Sequence, residues 1–164
     1  MATKACAERA WGSPDLAGRR VAMQSLGVCG SQALRLLLEE GAEVVVTDVD
    51  QAKVARAVAE HGVAAVPPEA IYAQPVDVFA PYALGGVVND DTIPELRAKV
   101  VAGSANNVLA EDRHGDELQR RGIVYAVDFT ADRDGIGYQA AAVRLAERRI
   151  AALDHVRLLD TRGL

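Results

Sequence analysis

Val21-Ala22-Met23-Gln24-Ser25-Leu26-Gly27-Val28-Cys29-Gly30 decides the fold: an apolar run that reads as a strand, a glycine-bearing turn, and the opening of a helical pattern. Beyond it Ala33, Leu34, Leu37 and Leu38 recur at helical spacing, and Gly41 stands where a helix ends on a left-handed residue. The turn keeps the second and third glycines of a G-x-G-x-x-G pattern, Gly27 and Gly30, and has Ser25 at the first. In such a turn the middle glycine lets the backbone approach a diphosphate, and the last lets the helix press onto the strand. The helix start adds unpaired N–H groups and the positive end of its dipole. A positive φ at Ser25 would strain the turn by about 1–2 kcal/mol.

Working outward, Glu43-Val44-Val45-Val46-Thr47-Asp48 reads as a second strand, nearly all apolar because a parallel strand is covered on both faces. A helix over Gln51 to Glu60 follows and stops at Gly62. Further strands are predicted at Val63 to Val66, Val76 to Ala80, Val100 to Ala102 and Ile123 to Ala126, with helices at Thr92 to Ala98 and Asp112 to Arg121. Thr3 to Trp11 reads as a helix on the outside of the sheet. Gly137 to Arg157, with Ala142, Leu145, Ile150 and Leu153 at helical spacing, reads as a long terminal helix. This alternation predicts an α/β fold with a doubly wound, mostly parallel sheet, the Rossmann fold, in a single domain. Residues 1–18 form a helical lead-in, 19–136 the nucleotide-binding unit and 137–164 the terminal helix.

Asp48 closes the second strand, where a carboxylate accepts hydrogen bonds from an adenosine ribose. It also repels a 2′-phosphate: at about 4 Å and an effective dielectric near 20, two unit charges cost roughly 4 kcal/mol. The expected cofactor is therefore NAD rather than NADP; the alternative is a plain turn residue before Asp50. The net charge of −5 over 164 residues argues against a nucleic-acid partner. No apolar run approaches the roughly 18 residues of a membrane span, and Met1 to Ala10 lack secretory character, so a cytoplasmic, membrane-free protein is expected. Cys6 and Cys29 fall in no zinc-like spacing, so no metal is expected. His61, His114 and His155 suggest no site of their own.

Several blocks resemble one family. They are Val46-Thr47-Asp48-Val49-Asp50, Phe79-Ala80-Pro81-Tyr82-Ala83-Leu84-Gly85-Gly86-Val87-Val88-Asn89-Asp90, Val101-Ala102-Gly103-Ser104-Ala105-Asn106-Asn107, Arg113-His114-Gly115 and Gly122-Ile123-Val124-Tyr125-Ala126. In this order they resemble the C-terminal NAD-binding domain of the glutamate/leucine/phenylalanine/valine dehydrogenases, leucine dehydrogenases above all, from about Thr3 to Asp128. The resemblance implies that Gly27, Val28, Cys29 and Gly30, with Ser25, line a pyrophosphate, and that Asp48 and Val49 hold the adenosine ribose. It further implies that Ala80, Pro81 and Tyr82, after the fourth strand, flank the ribose and adenine. Ala105 and Asn106, after the fifth, would face the nicotinamide ribose and ring; Asn106 and Asn107 also read as ordinary turn asparagines.

The family pattern breaks in two places. Its members carry a substrate domain ahead of this one, with a glycine-rich segment, two catalytic lysines and an aspartate. Here the lysines are Lys4, Lys53 and Lys99, none of which stands in for those. The expectation is an NAD-binding module that does not oxidise amino acids by itself, acting either as a subunit beside a separately supplied catalytic chain or as a ligand sensor. Second, the small-residue segment that closes over the nicotinamide is replaced by Val127-Asp128-Phe129-Thr130-Ala131-Asp132-Arg133-Asp134-Gly135. Either this is a solvated, self-paired charged loop, or Asp132 or Asp134 acts as acid or base while Arg133 holds an anion. Two other readings thus stand beside the module: a small enzyme built on residues 128–135, and a dimeric structural protein that no longer binds nucleotide. A homodimer is expected, because the terminal helix exposes apolar surface that a second copy would cover.

Overall fold

A computed structural model describes residues 2–83 and 85–126. Six strands form one sheet in the order β3-β2-β1-β4-β5-β6. They are β1 (Arg20–Gln24), β2 (Glu43–Thr47), β3 (Ala64–Ala65), β4 (Val78–Pro81), β5 (Val100–Val101) and β6 (Val124–Tyr125). Every pairing is parallel, with Ala22 opposite both Val45 and Phe79. The helices are α1 (Ala2–Trp11), α2 (Val28–Glu39), α3 (Gln51–His61) and α4 (Arg113–Arg120). Between β1 and β4 the strand order reverses direction, and an α/β sheet opens its ligand crevice at the carboxyl ends of the strands flanking such a point.

Side chains on a strand alternate between the two faces of its sheet, so each central strand feeds two apolar layers. Val21, Met23, Val78, Ala80 and Val100 pack on one side with Cys6 and Ala7 of α1 and Leu34 and Leu37 of α2. Ala22, Phe79 and Val101 pack on the other with Ile93, Leu96, Leu118 and Ile123. The helix predicted at the amino end thus exists and buries its Cys6 and Ala7 against the sheet. Among the described residues no helix is long and apolar enough to cross a membrane.

One predicted helix does not form. Residues 92–98 lie in turns and irregular chain. Ile93 N–H reaches the carbonyl of Asn89 at 3.0 Å and Leu96 N–H that of Thr92 at 3.2 Å, but Pro94 has no N–H with which to continue the ladder. The segment still buries Ile93 and Leu96, which is the apolar spacing that suggested a helix. The fourth strand also runs one residue further than predicted, to Pro81. The expected terminal helix over 137–157 and the segment 128–135, with Asp132, Arg133 and Asp134, lie outside the described residues.

Candidate functional site

At the carboxyl edge of the sheet, β1 ends in Gln24 and the chain turns sharply through Ser25, Leu26 and Gly27 into α2. Ser25 has φ 79°, the left-handed region that glycine enters freely and serine does not. The glycine position of the motif is therefore kept in conformation and changed in residue. Gly30 shows why the third glycine is required: a β-carbon there would stand 2.2 Å from the carbonyl oxygen of Ser25 and 3.5 Å from Cβ of Tyr82. At Gly27 a β-carbon would meet only the Ser25 hydroxyl, at 3.9 Å, so the approach over this residue is open. The first N–H groups of α2, on Val28, Cys29 and Gly30, have no acceptor within the helix and sit at its positive end.

Asp48 follows β2 and is only 6 % exposed. Its Oδ2 accepts from Leu26 N–H at 2.6 Å and from the Ser25 hydroxyl at 3.2 Å. Its Oδ1 accepts from Asp50 N–H at 2.9 Å. Burial pushes the carboxyl up, but the N–H groups of Leu26 and Asp50, the Ser25 hydroxyl and the charge of Lys53 hold it below its ordinary range. The aspartate is thus tied directly to the turn that opens α2, a link that residue spacing alone did not reveal. Asp50 caps α3 by accepting from Ala52 N–H at 3.0 Å and draws Lys53 to 3.6 Å.

Val28 and Val49 flank this edge, 88 % and 87 % exposed. Cys29 is exposed and Tyr82 half-buried, its hydroxyl pushed up chiefly by burial. Ala80 and Pro81 are inside β4 rather than after it, and both are buried, so they shape the wall with backbone. After β5 the loop holds half-buried Ala105, whose N–H donates to the Pro81 carbonyl at 3.1 Å, and exposed Asn106. Asn107 takes φ 51°, in keeping with its reading as a turn asparagine.

A second polar cluster was not foreseen. Arg113 forks onto both oxygens of Asp90 and also bonds Glu111. This fork holds the Asp90 carboxyl down at about 2. His114, 2 % exposed, accepts from Glu111 N–H through Nδ1 at 3.0 Å, which leaves the proton on Nε2, 3.3 Å from Asp90. Asp90, Glu111 and His114 are close enough together to surround a cation. The chemistry does not fit one, because Arg113 already occupies the carboxylates and the only unblocked imidazole nitrogen carries the proton. The cluster instead staples the turn at 90 to the start of α4.

No family model matches the chain. It is 51 % identical over 133 residues to the leucine dehydrogenase of Geobacillus stearothermophilus, covering 81 % of this chain and 36 % of that protein. It is 41 % identical over 192 residues to the leucine dehydrogenase of Bacillus cereus, covering 94 % of this chain and 52 % of that one. The structure superposes on the L-tryptophan dehydrogenase of Nostoc punctiforme with a TM-score of 0.79 and 32 % identity, over 91 % of this chain and 56 % of the other. The chain therefore spans about half, or less, of the relatives it matches.

Proposed function

We propose that this chain, homologous over most of its length to leucine dehydrogenases, is the counterpart of a dehydrogenase's dinucleotide-binding half and takes NAD(H) in preference to NADP(H). The observation that carries the reading is the buried Asp48 carboxylate fixed beside the Gly27–Gly30 turn. A diphosphate would lie over Gly27 against the N–H groups of Val28, Cys29 and Gly30. The adenosine ribose would lie between Val28 and Val49 and donate to Asp48. The adenine would face the Tyr82 side, and the nicotinamide end the loop carrying Ala105 and Asn106. Bound there, the nicotinamide would supply hydride transfer, and the protein's part is to hold and orient it.

Oxidising an amino acid also needs a base and a cation over the substrate carboxylate. Lys4 is engaged by Glu40 at 2.7 Å and Lys53 by Asp50, while Lys99 precedes β5 at the opposite, amino edge of the sheet. The proposal assigns this chain the cofactor role and gives the amino acid to another domain or partner chain.

Calorimetric titration with NADH and NADPH side by side tests it. NADH binds, and NADPH binds on the order of a thousandfold more weakly, the 2′-phosphate meeting Asp48. No heat with NADH at millimolar concentration, or equal affinity for the two, refutes it.

A further inference from the structure

We infer that the Ser25 hydroxyl occupies an acceptor position on Asp48 that a ribose hydroxyl would otherwise take, so that Ser25 sets how tightly the crevice grips its dinucleotide. The inference rests on the reading of the crevice as an NAD(H) site.

An ionised carboxylate has about four lone-pair positions, two on each oxygen. On Asp48, Oδ2 already receives Leu26 N–H at 2.6 Å and the Ser25 hydroxyl at 3.2 Å. Oδ1 receives Asp50 N–H at 2.9 Å. One position is left, on Oδ1, to accept from a ligand that has two neighbouring hydroxyls to donate. The two backbone donors already fix the carboxylate at both oxygens, so the serine adds little to its orientation. What the hydroxyl does is fill Oδ2.

The serine also sits where a β-carbon is unwelcome, at φ 79°. A glycine would enter the same conformation without strain and would leave Oδ2 half free. The chain thus keeps a strained residue whose side chain competes with the ligand. The consequence is a site of moderated affinity and faster release.

The test compares wild type, Ser25→Gly, Asp48→Asn and the double variant by titration with NADH, and with NADH analogues lacking the 2′- or the 3′-hydroxyl of the adenosine ribose. Ser25→Gly is expected to bind NADH about fivefold more tightly, the worth of one recovered hydrogen bond. In wild type, deleting one of the two hydroxyls weakens binding and deleting the other does not; in Ser25→Gly both deletions weaken it. In the Asp48→Asn background Ser25→Gly leaves affinity unchanged. Thermal melts accompany the series, since glycine at this φ should raise the melting temperature whatever the hydroxyl does. Unchanged or weaker NADH binding in Ser25→Gly, or the same gain with Asn at 48, overturns the inference while leaving the NAD(H) reading intact. Failure of wild type to bind NADH at all removes both.

Discussion

A β-carbon placed on Gly103 would stand 1.9 Å from the carbonyl oxygen of Pro81. The chain leaving β5 is thus pressed against the end of β4, backbone to backbone, and two residues on Ala105 N–H donates to the same Pro81 carbonyl at 3.1 Å. Neither partner is a flexible side-chain tip that could swing away. Gly103→Ala is therefore expected to separate the two strand ends, lowering the melting temperature by several degrees and weakening NADH binding at least tenfold. Gly122, with φ 69° and nothing within 4 Å of where a β-carbon would stand, is the control. Gly122→Ala carries conformational strain alone, about 1 kcal/mol, and leaves NADH affinity as it was.

Asp48→Asn keeps shape and removes charge. NADH affinity should fall about tenfold, and the preference over NADPH should narrow by more than that, because the repulsion of the 2′-phosphate disappears. Parallel titrations with the two cofactors measure both numbers. A variant that still rejected NADPH as strongly as wild type would place the discrimination elsewhere.

The depressed carboxyl of Asp48 fixes a pH dependence. A group whose folded pKa lies below its unfolded value contributes stability above the unfolded value, near 4, and loses it as the pH falls through the folded one. The stability difference between wild type and Asp48→Asn should therefore be constant from neutral pH down to about 4 and shrink below it. Denaturation midpoints collected between pH 2 and 7 would reveal a flat difference if the aspartate were not held down.

Asp90 offers a local readout of the second cluster. With Arg113 in place its carboxyl titrates at about 2. In Arg113→Gln the fork is gone and the titration should return toward the ordinary aspartate range, visible by NMR of the side-chain carboxyl. Both residues are exposed, so little change in global stability should accompany it.

Two core positions set opposite expectations. Phe79 is 1 % exposed and meets the Tyr72 ring at a centroid distance of 5.4 Å. Phe79→Ala should cost about 3–5 kcal/mol by chemical denaturation. Thr47 is equally buried, yet its Oγ1 finds no hydrogen-bond partner among the described residues. Thr47→Val replaces that hydroxyl with a methyl of similar shape and should leave stability unchanged or raise it.

The parallel sheet was legible because its strands are short apolar runs alternating with helical patterns, and because Gly41 and Gly62 mark the ends of two helices. Residues 92–98 misled because Ile93 and Leu96 carry helical spacing while Pro94, in their midst, lacks the donor a helix needs; burial was read correctly and conformation was not. The Ser25 substitution could be seen in the sequence, and its φ could not, since residue type alone does not fix the conformation of the turn. The ion-pair cluster escaped notice because Asp90 and Arg113 lie far apart in the chain, with no local pattern to join them. The link between Asp48 and Leu26 N–H escaped for the same reason: it crosses between strands.

The two cysteines differ as much as two side chains can: Cys6 is wholly enclosed under the sheet, while Cys29 stands in the open at the first turn of α2. A thiol-directed dye added to the folded protein would label one position only, without any engineered residue. That single label would sit where a dinucleotide is expected to arrive, turning the native chain into its own optical reporter of occupancy.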